Sequence, residues 1–517
     1  MYSSKTMSKI LLICFTLFVS YGEGAKILGV FMYPSISHQL VFQPIWKELS
    51  LRGHQVTIIT PNPLKDPSLT NLTEIDVSFT YNKPAVKNPM RYVKKEQRSL
   101  TKVRAIFDVF MELFEEEMQS AGVQELLNKK DEKFDLFIVQ ISHYGNVFLP
   151  FANKYNTPVV GISSLGAFLH THDVLGNPTH PVISPDILLG LSENMSFLER
   201  LNTFLYNISY RIYYYWVLLP EADKFSRKYF GDDIPYLGEL DKNLSLVMLS
   251  ANPLIHPPRP NVPNIININQ LNVKEKKPLP KDIQEFLDSS PEGVIYFSLG
   301  SNVRSSSLSQ ELRKEIIGAL AELPYKVIWK WEEDHLPNQP KNVMVRKWLP
   351  QQDILGHPNV KVFFMQGGLQ SIEETINNEV PLVGMPFFTD QPANLRKIEE
   401  LGMGLMIDHV SLTKDKLKAA LLEVAQNKKY KENVIKGKAI INDQPMKGVE
   451  KAVWWIEYVL RHNGAKHLRS AAADMSFYDY FMVDVVLFLL ACVVLTVYIV
   501  MKIAKTFMKK PRKLKKN

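Results

Sequence analysis

Residues 360–378 read Val360-Lys-Val-Phe-Phe-Met365-Gln366-Gly367-Gly368-Leu369-Gln370-Ser371-Ile-Glu373-Glu374-Thr-Ile-Asn-Asn378. The first six residues are apolar but for one lysine, which reads as a buried strand, and the stretch after the glycines has helical spacing. A strand that turns through glycines into a helix is the unit of a parallel α/β sheet. Glycines at that turn let backbone N–H groups approach an anion, and the helix dipole favours a phosphate there. Ser371 and Glu374, three apart, share one helical face. A carboxylate so placed suits a pair of ribose hydroxyls.

The neighbouring segments extend the pattern. Trp348-Leu-Pro-Gln351 follows a short strand, and an exposed Trp at a strand's carboxyl end is a platform on which a base can stack. Downstream, the buried strand at 381–386 leads to Asp390-Gln391 at another strand-to-helix turn, where both side chains can hydrogen-bond sugar hydroxyls. Strand-like runs at 293–300, 326–331 and 342–346 complete this half. An earlier series at 26–33, 54–60, 134–140 and 158–164 forms another, with helical spacing at 39–52 between its first two runs. Between the halves, 272–281 (NVKEKKPLPK) is charged and proline-containing, as a linker is. The expectation is two doubly wound α/β domains, 25–271 and 284–478, joined by a linker at 272–283. Open parallel sheets bind ligands off the carboxyl ends of their strands, so both halves should point loops into a common cleft.

The chain has 517 residues, too many for one core, and 46% hydrophobic with 22% charged residues is ordinary for a globular protein. The net charge of +8 is matched by the eight Lys and Arg of 502–517, which hold no acid. The rest is near neutral, which argues against a nucleic-acid partner. Residues 1–24, with Lys5 and Lys9 ahead of an apolar run, read as a secretory leader. Phe481–Val500 is twenty residues with one charge, Asp484, and spans the ~30 Å hydrocarbon layer. It predicts a transmembrane helix at 479–501, with the basic tail 502–517 in the cytoplasm. The tail's end, Lys513-Leu-Lys515-Lys516-Asn517, resembles a dilysine retrieval signal of endoplasmic reticulum proteins, or anchors to anionic headgroups. The two cysteines, Cys14 and Cys492, lie in the leader and the span, so the body holds no disulfide. Asn71, Asn194, Asn207 and Asn243 head glycosylation sequons, consistent with a lumenal body. Tyr210–Leu219 is an aromatic-rich amphiphile, suited to a membrane interface or to lining a greasy pocket or the core.

The three blocks WLPQ (348–351), FFMQGGLQSIEE (363–374) and PLVGMPFFTDQ (381–391) resemble the signature of the UDP-glycosyltransferases, family 1 of the glycosyltransferases. The match is dense over this stretch, and the layout of leader, two halves, span and basic tail extends it over the chain, most like the membrane-bound insect members. The resemblance implies a GT-B-like fold, with an N-terminal acceptor-binding domain and a C-terminal UDP-sugar-binding domain. It would have Trp348 stack on uracil and Gln351 contact the nucleoside. Gln366, Gly368, Gln370, Ser371 and Ser301 would hold the diphosphate, Glu374 the ribose, and Asp390 and Gln391 the transferred sugar. Many relatives have His where Gln366 stands.

Transfer with inversion needs a base to deprotonate the acceptor hydroxyl. His38, after the first strand and at the opening of the first helix, has the position and the chemistry. The family usually supplies an Asp to orient this His. The matching position, at the end of the strand beginning Phe134-Asp135, is Gln140, which cannot offset an imidazolium charge. His170-Thr-His172-Asp173 fits no complete metal-ligand set and reads as part of an acceptor loop. Gly161-Ile-Ser-Ser-Leu-Gly166 lacks the spacing of a nucleophile elbow. No Asp-x-Asp occurs, so no metal or other cofactor is expected beyond the UDP-sugar co-substrate. The resulting expectation is a single-pass, lumen-facing endoplasmic reticulum enzyme that moves a hexose from a UDP-sugar to a hydroxyl of a small lipophilic acceptor. Glucose is favoured over glucuronate, and the expectation leaves room for a homo-oligomer. The alternatives are a non-catalytic UDP-sugar or lipophile binder, and less readily a UDP-sugar epimerase.

Overall fold

The computed structural model describes residues 24–87, 99–191 and 194–508, leaving aside the side chain of His143. Nearly all of the expected leader, and the dilysine end of the tail, lie outside the described residues.

The first domain holds seven strands: β1 (Lys26–Val30), β2 (Gln55–Thr60), β3 (Leu72–Asp76), β4 (Leu136–Gln140), β5 (Val159–Ser163), β6 (Leu244–Ser250) and β7 (Ile265–Ile268). They form one parallel sheet in the order β3-β2-β1-β4-β5-β6-β7. The second domain repeats the plan with six: β8 (Val294–Ser298), β9 (Lys326–Lys330), β10 (Val343–Arg346), β11 (Val360–Met365), β12 (Leu382–Gly384) and β13 (Gly404–Met406). Its parallel sheet runs β10-β9-β8-β11-β12-β13. The helices that position the site or anchor the chain are α1 (Ile36–Leu51), α2 (Ser99–Met118), α3 (Phe197–Tyr213), α4 (Leu369–Asn377), α5 (Gln391–Glu400), α6 (Gly448–Arg461) and α7 (Val483–Met508).

The strands are apolar throughout because each sheet is covered on both faces. In β4, Leu136 and Ile138 join one core with Ile27, Ile58 and Trp46, while Phe137 and Val139 join another with Leu28, Phe107 and Phe114. In β11, Val362 and Phe364 face one side of the second sheet, and Phe363 and Met365 the other. Strand order reverses between β1 and β4 in the first sheet and between β8 and β11 in the second. His38 follows β1, Gln140 ends β4, Ser301 follows β8 and Gln366 follows β11, so the expected site residues flank both switch points.

The structure departs from the expected boundaries in three places. First, 284–478 is not one domain. α6 returns to the first domain, where Ala452, Val453, Ile456 and Val459, at helical spacing, complete the core around Trp46 and Ile58. Glu457 on the same helix pairs with Arg52 at 3.2 Å. Second, the linker is built into the site: the Lys274 and Lys277 N–H groups donate to Gln352 Oε1 (3.0 Å) and Asp353 Oδ1 (2.7 Å). Third, the apolar helix runs over 483–508 rather than 479–501. Met482 has a φ of 48°, which breaks the chain from the turn at Phe477–Tyr480. From 501 to 508 the helix continues without a break, and lysines in its last turns can extend toward an interface. With 26 residues, and a mean hydropathy of 2.8 over its most apolar eighteen, α7 exceeds the ~30 Å of a bilayer core at ~1.5 Å per residue, and it fits a membrane anchor.

Ile456 is fully buried in this returning helix. Ile456→Ala should destabilise the chain by ~2–5 kcal/mol, read by thermal melting, while nucleotide affinity in the second domain stays unchanged.

Candidate active site

A cleft of about 520 Å³ lies between the domains. On the first domain it is lined by His38, Tyr33, Ile36, Leu40 and Phe168, and on the second by the loops that follow β8, β10, β11 and β12. Of the expected residues, His38, Ser301, Trp348, Gln351, Gln366, Gly368, Gln370, Ser371, Glu374, Asp390 and Gln391 all line it. Gln140 does not.

At one end Trp348 is 59% exposed, an unusual state for so large a ring and the one a stacking platform requires. Lys330 Nζ lies 5.8 Å from its ring centroid and pairs with Glu332 at 2.9 Å. Beside it is a buried polar hub centred on Glu374. Its carboxylate accepts from Gln351 Nε2 (2.7 Å), Gln352 Nε2 (3.0 Å) and Asn272 Nδ2 (2.8 Å). Burial raises the pKa of Glu374 and these three amide donors lower it, with a net upward shift. Gln351 Nε2 also donates to Ser371 Oγ (3.0 Å), and its Oε1 accepts from Tyr296 Oη (3.1 Å). Gln352 and Asn272 were not singled out in the sequence. Asn272 heads the linker, where polar residues read as solvated.

The middle of the cleft is a backbone cradle. Gly368 caps α4 in extended conformation, so the first N–H groups of the helix have no intrahelical acceptor and point at the cleft. Across from them Ser301 has a buried Oγ without a partner. Gly300, at a φ of +76°, brings the two loops together: a Cβ there would lie 2.6 Å from Gln366 Nε2. The first N–H groups of α4, Ser301 Oγ and Gln366 Nε2, donors for an oxyanion, are all neutral.

Three side chains take parts other than those expected. Gln391 is 3% exposed; its Oε1 accepts from the N–H groups of Phe387 (2.8 Å) and Phe388 (3.2 Å), and its Nε2 donates to Gln366 Oε1 (3.2 Å). In this structure it shapes the loop that presents Asp390. Gln370 turns its amide across the cleft, Nε2 donating to the backbone carbonyl of Ser164 at 3.0 Å. Gln140 donates to Ser142 Oγ at 3.1 Å, and its Oε1 is buried without a partner. Asp390 itself accepts from Thr389 Oγ1 (3.0 Å) and Asn394 Nδ2 (2.7 Å), and burial raises its pKa.

His38 is buried at the opening of α1, with the edge of Tyr33 at 4.8 Å. Its Nδ1 hydrogen-bonds Ser164 Oγ. Burial lowers its pKa to about 4. Ser164 therefore stands where an orienting group is needed, and it belongs to the segment Gly161–Gly166 that the sequence marks only as an unsuitable elbow. A second tie crosses the cleft nearby, Ser35 Oγ donating to Asn302 Oδ1 at 3.1 Å.

The remaining candidates are structural. His170 Nδ1 bonds Tyr210 Oη (2.8 Å) and its ring stacks on Tyr214 at 4.2 Å; His172 bonds Asn177; Asp173 pairs with Arg211 at 2.8 Å. Among the sequons, Asn194 and Asn243 are exposed. Asn207 is 4% exposed with its amide donating to Thr203 O, and Asn71 donates to Ser50 O and His54 O. The fold leaves no room for a glycan on the Asn207 nitrogen, which corrects that expectation.

The family model for UDP-glucoronosyl and UDP-glucosyl transferase matches residues 25–517. The chain is 35% identical over 516 residues to UDP-glucosyltransferase 2 of Dactylopius coccus, covering 98% of this chain and 99% of that protein. It is 32% identical over 532 residues to UDP-glucuronosyltransferase 2B7 of Homo sapiens, covering 99% of each. Among solved structures, a UDP-glucose:anthocyanidin 3-O-glucosyltransferase in complex with UDP superposes with a TM-score of 0.54 at 17% identity, over 85% of this chain and 100% of that one. The glycosyltransferase VinC in complex with DTDP gives 0.56 at 16%, over 84% and 100%. A two-sheet cleft of this build is the GT-B arrangement of the glycosyltransferases. This chain belongs to the UDP-glycosyltransferase family.

Gly300→Ala tests the cradle. A left-handed backbone costs a non-glycine residue ~1–2 kcal/mol, and the new methyl must displace Gln366. UDP affinity, measured by calorimetry, should fall about tenfold or more.

Proposed function

We propose that this chain transfers glucose from UDP-glucose to a hydroxyl of a small lipophilic acceptor, with inversion, on the lumenal face of the endoplasmic reticulum membrane. One observation carries the reading: His38 and the phosphate-type cradle of α4 face each other across one cleft and are joined through Ser164. In the productive tautomer Nδ1 donates to Ser164 Oγ, and Nε2 takes the acceptor's proton. The acceptor oxygen attacks the anomeric carbon as the bond from that carbon to the diphosphate oxygen breaks. UDP leaves with the electron pair.

The nucleotide would lie with uracil on Trp348, ribose at Glu374, and diphosphate against the first N–H groups of α4 and Ser301. The sugar would then lie at the Asp390 end. The described lysines lining the cleft are Lys274, Lys277 and Lys330, all at the Trp348 end. A sugar carboxylate at the other end would meet the Asp390 carboxylate, which supports a neutral hexose. Around His38 the lining is apolar: Ile36, Leu40, Ile106, Leu165, Phe168 and Leu188. That supports a lipophilic acceptor whose one polar group is the reacting hydroxyl.

With purified protein, UDP-glucose should support transfer to phenolic acceptors at a rate at least tenfold above UDP-glucuronate. The reverse preference would overturn the donor assignment. Because burial lowers His38 to about 4, the imidazole is mainly neutral above that pH, so the acid limb of kcat/KM should fall near pH 4, well below 6.5. His38→Ala should lower kcat by ~10²–10⁴ with UDP affinity retained. Ser164→Ala, which keeps the carbonyl that Gln370 reaches, should lower kcat roughly tenfold and leave the donor KM in place. UDP binding without turnover, unaffected by His38→Ala, would leave a binder instead of an enzyme.

A further inference from the structure

The first crossing of chain between the domains lies against the Trp348 end of the cleft. Leu271 is buried in the first-domain core with Trp46 and Ile456, and Ile283 and Leu287 are buried in the core of the second. Asn272, the first residue between them, is 3% exposed. A polar side chain so dry at the head of a linker has its amide in use.

Gln352, in the first turn of the short helix Gln351–Leu355, grips this linker by its backbone. One hydrogen of its Nε2 goes to the carbonyl of Asn272 at 2.7 Å and the other to Glu374 Oε1 at 3.0 Å. Its own Oε1 accepts from the N–H of Lys274 at 3.0 Å. One side chain therefore holds the chain on both sides of Val273 and a buried carboxylate as well. Asn272 Nδ2 donates to the same Glu374 Oε1 at 2.8 Å, and to the carbonyl of Gln370 at 3.4 Å. Gln351, next in the chain, is the same residue type with other partners: it bonds Glu374, Ser371 and Tyr296 and no part of the linker.

The acceptor positions on Glu374 are divided between its two oxygens. An ionised carboxylate offers about four, two on each oxygen. Oε1 receives Gln352 and Asn272 and is filled from the linker side. Oε2 receives only Gln351 Nε2 among the described residues, at 2.7 Å. It keeps a position for a hydroxyl, on a residue that lines the cleft.

We propose that Gln352 and Asn272 are positioning residues for the donor: they hold Glu374 from the linker side so that its other oxygen receives a ribose hydroxyl, and ribose binding in turn stiffens the first crossing between the domains. This rests on the placement of ribose at Glu374 in the proposed function. A sugar ring over Oε2 keeps water from the carboxylate, and in drier surroundings the bonds on Oε1 strengthen. The coupling is reciprocal: whatever fixes the linker raises affinity for the ribose.

The test uses the full chain in nanodiscs with two nucleotides, UDP and 2′,3′-dideoxy-UDP, which keeps the base and diphosphate but lacks both ribose hydroxyls. Saturating UDP should slow amide hydrogen exchange several-fold in a peptide covering 271–279, and saturating dideoxy-UDP should not slow it. This comparison is made on the unsubstituted chain and needs no variant to fold. In Gln352→Met, close to Gln in volume, UDP should no longer slow the linker. The donor KM of that variant should rise about tenfold, as expected for one lost hydrogen bond to a charged group, with kcat unchanged. Equal slowing by the two nucleotides would overturn the coupling, and so would slowing by UDP that survives in Gln352→Met; both results leave UDP in the cleft. No binding of UDP by the unsubstituted chain would overturn the placement of the nucleotide and this inference with it.

Discussion

A single buried hydrogen bond across the cleft, from Gln370 Nε2 to the carbonyl of Ser164, sets the geometry on which the site depends. Its donor is in the first turn of the helix that presents the anion cradle. Its acceptor belongs to the residue whose hydroxyl meets the buried imidazole. A dry amide left unpartnered costs ~1–3 kcal/mol, so the two halves hold this register against sliding. The reacting groups are thereby aligned through the backbone of one residue.

The proposed chemistry at His38 differs in kind from a base backed by a carboxylate. A hydroxyl oxygen orients the ring and fixes its tautomer, but adds only a dipole toward an imidazolium. The burial that lowers the imidazole's pKa also keeps it unprotonated across the physiological range. Readiness to accept a proton is gained, and basicity is lost, from the same desolvation. Tyr33 against the ring, its own hydroxyl pushed up to about 12 by burial, contributes packing and no charge.

Much of this architecture was legible in the chain because its determinants are local. Apolar runs five or six residues long announced the central strands, and the glycines after Met365 announced the turn. Of the four strands that escaped notice, Leu72–Asp76 is half polar and Ile265–Ile268 and Gly404–Met406 are only four and three residues long, whereas Leu244–Ser250 carries a clear apolar run that went unread. Roles set by distant partners were not legible. The bonds from the loop at 387–388 to the Gln391 amide oxygen could not be read from the sequence. Asn207 reads as a glycan acceptor because a sequon says nothing of which helical face is buried. Ser164 carried no signal, since its importance arises from a histidine 126 positions away.

The return of α6 to the first domain joins that half of the molecule to the segment that leads into α7. Chain crosses between the halves near 272 and again near 447, and the anchoring helix hangs from the half that α6 rejoins. Two crossings of backbone thus join the halves, and on the proposed reading exchange of spent nucleotide would turn the second domain about them while the domain that carries His38 stays with α7.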